Sequence, residues 1–259
     1  MERPGVPWRL TTSLISPQPS RNPYLTIRSL AQRHGVCGLL VLLAWVWGVA
    51  CARLPPPEAP PPTAAPRAMD APGVTYQLGL SQLAAGDYLQ ARRSLEQAVA
   101  LAPNQASYHN ALGLAYLQLG RLPQAEQAFR ETLRRQHDFP DAHNNLGVTL
   151  AQQGKWEAAI AAFEQVLQFP AYNTPEIVYQ NLGWAYYNLE RYAEAEAALT
   201  TALRLDPRLP ITHYTLGLIW EKTGRVQEAR DAYRHVLTLV PQDSETGRRA
   251  QERLHAMGG

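Results

Sequence analysis

A Leu-Gly pair returns five times along the chain, at Leu78-Gly79, Leu112-Gly113, Leu146-Gly147, Leu182-Gly183 and Leu216-Gly217. The glycines lie 34, 34, 36 and 34 residues apart. A period of this length, kept over five copies, leaves few folds open. Each copy is one small unit that cannot bury its apolar face alone, so copies must stack. A second track confirms the register. Twelve residues after each glycine comes an alanine: Ala91, Ala125, Ala159, Ala195 and Ala229. Four residues further stands a large side chain: Leu95, Phe129, Phe163, Leu199 or Tyr233. A step of four is one face of an α-helix. The spacing predicts two antiparallel helices per copy, the small glycine facing the small alanine and the large residue filling the space beside them.

The punctuation agrees. Gly86, Gly120, Gly154 and Gly224 fall between the paired helices, where a C-cap adopts a left-handed conformation. Glu190 stands at that position in the fourth copy, so its turn is expected to be less relaxed. Pro103, Pro207 and Pro241 stop second helices. Residues 243–256 read as one more helix, with Arg248, Arg249, Glu252 and Arg253 as an outer polar cap.

The 34-residue period with its Leu-Gly, Ala and aromatic positions resembles the tetratricopeptide repeat (TPR) family. The resemblance implies an all-α fold, a superhelical solenoid of five helix-turn-helix repeats plus a C-terminal capping helix. The repeats are expected at 72–105, 106–139, 140–174, 175–208 and 209–241, with the cap and tail at 242–259. His109, His143 and His213 each fall three residues before the leucine of the pair, where such repeats place Trp, Tyr or His. The period accounts for them, and no metalloprotease, phosphate-loop or serine-elbow motif accompanies them. A non-enzymatic chain with no metal or cofactor is expected.

Residues 1–51 differ from the rest. They hold Arg3, Arg9, Arg21, Arg28 and Arg33 against Glu2, and the remaining residues are then mildly acidic, nineteen basic against twenty-one acidic. That body has no electrostatic footprint for nucleic acid. The run 36–50, VCGLLVLLAWVWGVA, is uncharged and follows Arg28, Arg33 and His34. It is short for a membrane span, which needs about 20 residues, and fits a secretory signal. Ala50-Cys51 then offers the small residue and cysteine of a bacterial lipoprotein signal, although Gly48 occupies a place where a branched apolar residue is usual. Lipidation at Cys51, an ordinary signal peptide or signal anchor, and a cytosolic chain all stay open. The long stretch before the apolar run is consistent with a translation start downstream, near Leu25. Residues 52–71 contain PPPEAPPPT, a proline-rich linker that favours an extended polyproline conformation.

In stacked TPR units the first helix of each pair lines the concave side. The resemblance therefore places a partner groove along Asn110, Leu114, Asn144, Asn145, Val148, Gln180, Asn181, Trp184, Tyr187, Tyr214 and Leu218, apolar on one track and amide-rich on the other. Amides suit a peptide backbone and the apolar track its side chains. The chain has two lysines, Lys155 and Lys222, and the first four inward tracks lack them, which speaks against a carboxylate clamp for acidic C-termini.

One segment is more specific. Pro170, Tyr172, Thr174, Pro175, Glu176, Asn181 and Gly183 lie around the two-residue insertion, and an Ala-Glu-Ala helix follows. This segment resembles the type IV pilus biogenesis lipoproteins of the PilF/PilW/Tgl kind. The resemblance implies a lipid-anchored outer-membrane protein facing the periplasm, a pilotin whose partner is a type IV pilus secretin subunit. A general TPR scaffold for another cell-envelope complex is the alternative. Five repeats are read here, where those relatives commonly have about six.

Overall fold

Small side chains decide where the helices of this chain meet. A computed structural model describes residues 71–258, all within a compact unit that spans Arg67–Gly259. The expectations for Cys51, the apolar run and the linker lie outside the described residues.

Eleven helices and no strand make up the described residues. They are α1 (Ala71–Ala84), α2 (Tyr88–Leu101), α3 (Ala106–Gln118), α4 (Leu122–Arg135), α5 (Pro140–Gln152), α6 (Trp156–Val166), α7 (Pro175–Asn188), α8 (Tyr192–Leu205), α9 (Pro210–Lys222), α10 (Val226–Leu239) and α11 (Glu245–Ala256). Helices α1 to α10 form five hairpins, each packed against the next, and α11 packs on α9 and α10 as the first helix of a further repeat would. The first helices α1, α3, α5, α7 and α9 also touch one another in succession, whereas the second helices do not. The first helices therefore lie on the short-radius, inner side of the stack. The fold class is the one expected from the period.

The glycine of each Leu-Gly pair is needed, but its partner is not the alanine. A Cβ on Gly113, Gly147 or Gly217 would stand 2.5–2.6 Å from the ring of Phe129, Phe163 or Tyr233, and on Gly79 or Gly183 it would stand 2.4–2.6 Å from Leu95 or Leu199. The large residue four after the alanine fills the space left by the absent side chain. The helices approach closely because the ring lies against bare backbone.

Each hairpin turn closes with the same bond, from the residue after the turn position back to the carbonyl five residues earlier. Examples are Arg121 N to Tyr116 O at 2.9 Å and Lys155 N to Leu150 O at 2.9 Å. The geometry demands a left-handed residue, and Gly154 supplies φ of +75°. Glu190 adopts φ of +59° to make the equivalent turn. Glu190→Gly is expected to raise stability by about 1 kcal/mol, the usual cost of a left-handed non-glycine residue. Urea midpoints of the two proteins check this, and an unchanged midpoint would mean that the turn is unstrained.

The two inserted residues lie where α6 meets α7. Helix α6 has 11 residues, whereas α2, α4, α8 and α10 have 14. The chain from 167 to 174 is a loop that folds onto the start of α5. The Phe169 ring lies 6.1 Å from that of His143, and the Tyr172 side chain lies beside the Asp141 carboxyl.

Candidate functional site

The inner wall is made by α1, α3, α5, α7 and α9. Its charge is sparse. Helices α1 and α3 carry no Asp, Glu, Lys or Arg, α5 carries Asp141, α7 carries Glu176, and α9 carries Glu221 and Lys222. A wall of this composition offers aromatic faces, aliphatic side chains and amides.

The amides are largely occupied already. Asn145 Nδ2 donates to Asn110 Oδ1 at 3.4 Å, and Asn181 Nδ2 donates to Asn144 Oδ1 at 3.5 Å. Thr212 Oγ1 donates to Gln180 Oε1 at 2.9 Å. Each pair joins one inner helix to the next. Asn144, Asn145, Gln180 and Asn181 are buried, as are Val148 and Tyr214. Six of the eleven residues expected to line the groove are thus enclosed. The reason is geometric: successive inner helices come close enough for side chains at equivalent positions to meet. An amide buried without such a partner would be costly, so these residues tie repeats together.

Asn110, Leu114, Trp184, Tyr187 and Leu218 remain half-buried. The Trp184 and Tyr187 rings stack, with centroids 5.3 Å apart and planes at 23°. Tyr187 continues toward Tyr192 at 6.0 Å. Asn188 Nδ2 donates to the Trp184 carbonyl at 2.8 Å. This shelf lies on the last turns of α7, the helix that follows the insertion loop. Nearer the start of the stack, Tyr76 lies on Tyr108 with centroids 4.4 Å apart. Burial pushes the Tyr187 and Tyr214 phenols above their ordinary value, so both keep their proton. Asn188 was not singled out in the sequence, although it is one turn from Trp184 on the same face.

At the far end Arg253 of α11 turns inward and pairs with Glu221 of α9, with one bond at 3.0 Å. Tyr233 donates to the same carboxylate at 3.1 Å. Arg253 was expected on the outer side of the cap. It joins α11 to the stack instead, while Arg248 and Glu252 stay exposed.

The three histidines at the repeat position share one task. Nε2 of His109 bonds the Pro103 carbonyl at 2.8 Å, that of His143 bonds the His137 carbonyl at 3.1 Å, and that of His213 bonds the Pro207 carbonyl at 2.9 Å. A carbonyl only accepts, so Nε2 carries the proton in each. The bonds pin the loop between repeats to the next inner helix. Desolvation lowers all three below the ordinary histidine value. The unfolded chain then takes up protons more readily than the folded one. Their contribution is present above about pH 6.5 and is lost as pH falls through that value toward the lowered ones. The urea midpoint is expected to drop between about pH 7.5 and 5.5, and His143→Phe should flatten the profile.

Among the described residues no cluster of three or more His, Cys, Asp or Glu is placed to hold a metal ion, and no helix is long and apolar enough to cross a membrane.

The family model described as Tetratricopeptide repeat matches residues 76–138, 116–174 and 181–244. TPR repeat-containing protein MJ1428 of Methanocaldococcus jannaschii is 34% identical over 58 residues, a match that covers 22% of this chain and about a tenth of that relative's length. Among solved structures, PilF of Pseudomonas aeruginosa superposes with a TM-score of 0.62 at 22% identity, over 73% of this chain and 89% of that one. PilW, described as a widely conserved type IV pilus biogenesis factor, gives 0.62 at 21% identity, over 72% and 93%. MamA of Desulfovibrio magneticus RS-1 gives 0.61 at 23% identity, over 68% and 98%. At these identities the three likenesses speak of fold.

Proposed function

Since the chain belongs to the tetratricopeptide repeat family, we propose that it is a scaffold whose inner wall holds a segment of a partner protein, and that it serves type IV pilus assembly as a lipid-anchored pilotin. The observation that carries the binding part is the stacked Trp184–Tyr187 shelf, half-buried on an inner helix whose one charged residue, Glu176, lies at its far end. Large aromatic surfaces of this kind dominate binding energy when a partner covers them. The nearly uncharged wall selects a segment that is neutral and apolar-polar, not an acidic tail. The likeness in fold to PilF and PilW, together with the Pro170–Gly183 segment, favours a secretin subunit as the source of that segment. Cys51, if lipidated, fixes the body at the outer membrane, and the proline linker gives it reach. Anchoring raises the local concentration of partner and scaffold and favours ring assembly without any reaction.

A second reading, a scaffold for another multiprotein complex, is favoured by the equal likeness in fold to MamA.

The experiment has two arms. Deletion of the gene is expected to remove heat-resistant secretin multimers and surface pili, and unchanged multimers would reject the pilotin reading in favour of the second. Trp184→Ala combined with Tyr187→Ala is expected to weaken partner capture from membranes by about 10- to 100-fold, the scale of losing one or two binding hot spots. Helical content should be retained. Undiminished capture would place the partner on another surface. Asn181 is unsuitable for this test, because it is buried between α5 and α7 and its loss would weaken the stack.

A further inference from the structure

In the fifth repeat a second imidazole meets the repeat-position histidine. His213, near the start of α9, and His235, near the end of α10, have ring centroids 4.3 Å apart and planes at 66°. In the second and third repeats the place of His235 belongs to Glu131 and Gln165. His235 is the titratable group that faces His213, whereas two guanidiniums, those of Arg135 and Arg134, face His109. The other contact between histidines, His137 with His143, is looser at 5.7 Å, and its inner member is buried. His213 is half-buried and His235 is exposed.

The Nε2–H of His213 donates to the Pro207 carbonyl at 2.9 Å, so its Nδ1 carries the lone pair. A metal-ligating histidine is held in the same way, with its second ring nitrogen tied to a carbonyl. The exposed ring of His235 can turn, and water reaches the pair. Two metal–nitrogen bonds of about 2.0–2.1 Å at a tetrahedral angle set ring centroids about 5 Å apart. The edge-to-face contact reaches that spacing by a shift of about 1 Å in the outer ring. Imidazole suits zinc, copper and nickel, whereas calcium and magnesium take oxygen ligands. We propose that His213 Nδ1 and one ring nitrogen of His235 bind a divalent transition cation, zinc or copper, with water in the remaining positions. The ion clips the start of α9 to the end of α10, at the opposite end of the hairpin from its turn at Gly224. Two protein ligands hold a metal less firmly than the three or four of dedicated zinc sites, so the ion exchanges readily.

The test uses the untagged full chain, stripped with a chelator and titrated with Zn(II) alone and with Cu(II) alone. Zinc is expected to raise the melting temperature as its concentration rises, as any ligand of the folded state does. Copper is expected to show two imidazole nitrogens by electron paramagnetic resonance. His235→Ala should lower the affinity at least about tenfold and remove the two-nitrogen signal. Position 235 is exposed, so melting of the variant without metal should match the parent. Cys37 and Cys51 are present in both proteins, so the difference between them reads the histidine pair. His137→Ala and His255→Ala should leave binding unchanged. Two-nitrogen copper binding that survives His235→Ala would overturn the proposal, as would binding only above about 1 mM, the mark of an adventitious ion only. A melting temperature that zinc raises equally in parent and His235→Ala would overturn it as well. Partner capture through the Trp184–Tyr187 shelf is read separately, so failure of one proposal leaves the other intact.

Discussion

Gly147→Ala is expected to cost about 3 kcal/mol, which for a domain of this size lowers the melting temperature by roughly 6–12 °C. The added Cβ would stand 2.5 Å from Cε1 and 2.7 Å from Cδ1 of Phe163, closer than carbon atoms tolerate. Phe163 is 1% exposed and has nowhere to withdraw. The hairpin α5–α6 must therefore spread, and it stands in the middle of the stack. Because repeats are held by nearest neighbours, the lesion should also loosen the contacts to α4 and α7. Gly154→Ala is the control. It has no atom within 4 Å of the new Cβ but keeps φ of +75°, so its cost should be about 1 kcal/mol from backbone strain alone. The cause is isolated by a double-mutant cycle. Phe163→Ala alone should cost about 3–5 kcal/mol, and the double variant should recover about 1–2 kcal/mol relative to the sum. Additive costs in urea unfolding would show that the glycine is required for some other reason.

Removal of residues 243–259 has the second large effect expected, a loss of about 4 kcal/mol with aggregation at working concentration. That is the scale of uncovering two large apolar side chains. Helix α11 buries Ala250 completely and is started by Ser244, whose hydroxyl accepts from Gly247 N at 3.1 Å. Without α11, the outward face of α9 and α10 meets water as an apolar surface, and Glu221 loses Arg253. The ion pair is the smaller part. Arg253 and Glu221 are 38% and 27% exposed, and such pairs contribute about 1 kcal/mol or less. Arg253→Ala should therefore leave a protein much closer to the parent than the truncation does. Light scattering during thermal melting separates the two, and a truncated chain as stable and as soluble as the parent would show that the stack needs no lid at this end.

Much of this was legible in the chain itself. The Leu-Gly, Ala and large-residue positions fix which helices pair and in what register, since each lies on one helical face at fixed spacing. The turn glycines and Glu190 were legible because the left-handed turn is a local demand. Less legible was the lining of the inner wall. Asn144, Asn145, Gln180 and Asn181 have the composition of a contact surface, and only their reach across to a neighbouring repeat shows that they are occupied. Trp184 and Tyr187 carry the same kind of sequence signal and remain half-buried. Arg253 reads as an outer charge, yet its side chain finds Glu221 on a helix 32 residues earlier. The inserted residues were visible as a break in the period. That α6 shortens to accommodate them was not, because the loop is held by Phe169 and Tyr172 on α5.

The sequence by itself determined the unit, its pairing and the order of the units, because side-chain size at helical spacing acts within one hairpin. The tertiary structure decided which inner residues stay accessible, which residue the glycines accommodate, and which end of the stack is closed. Those outcomes depend on the angle and distance between successive hairpins, which arise only when the hairpins pack together.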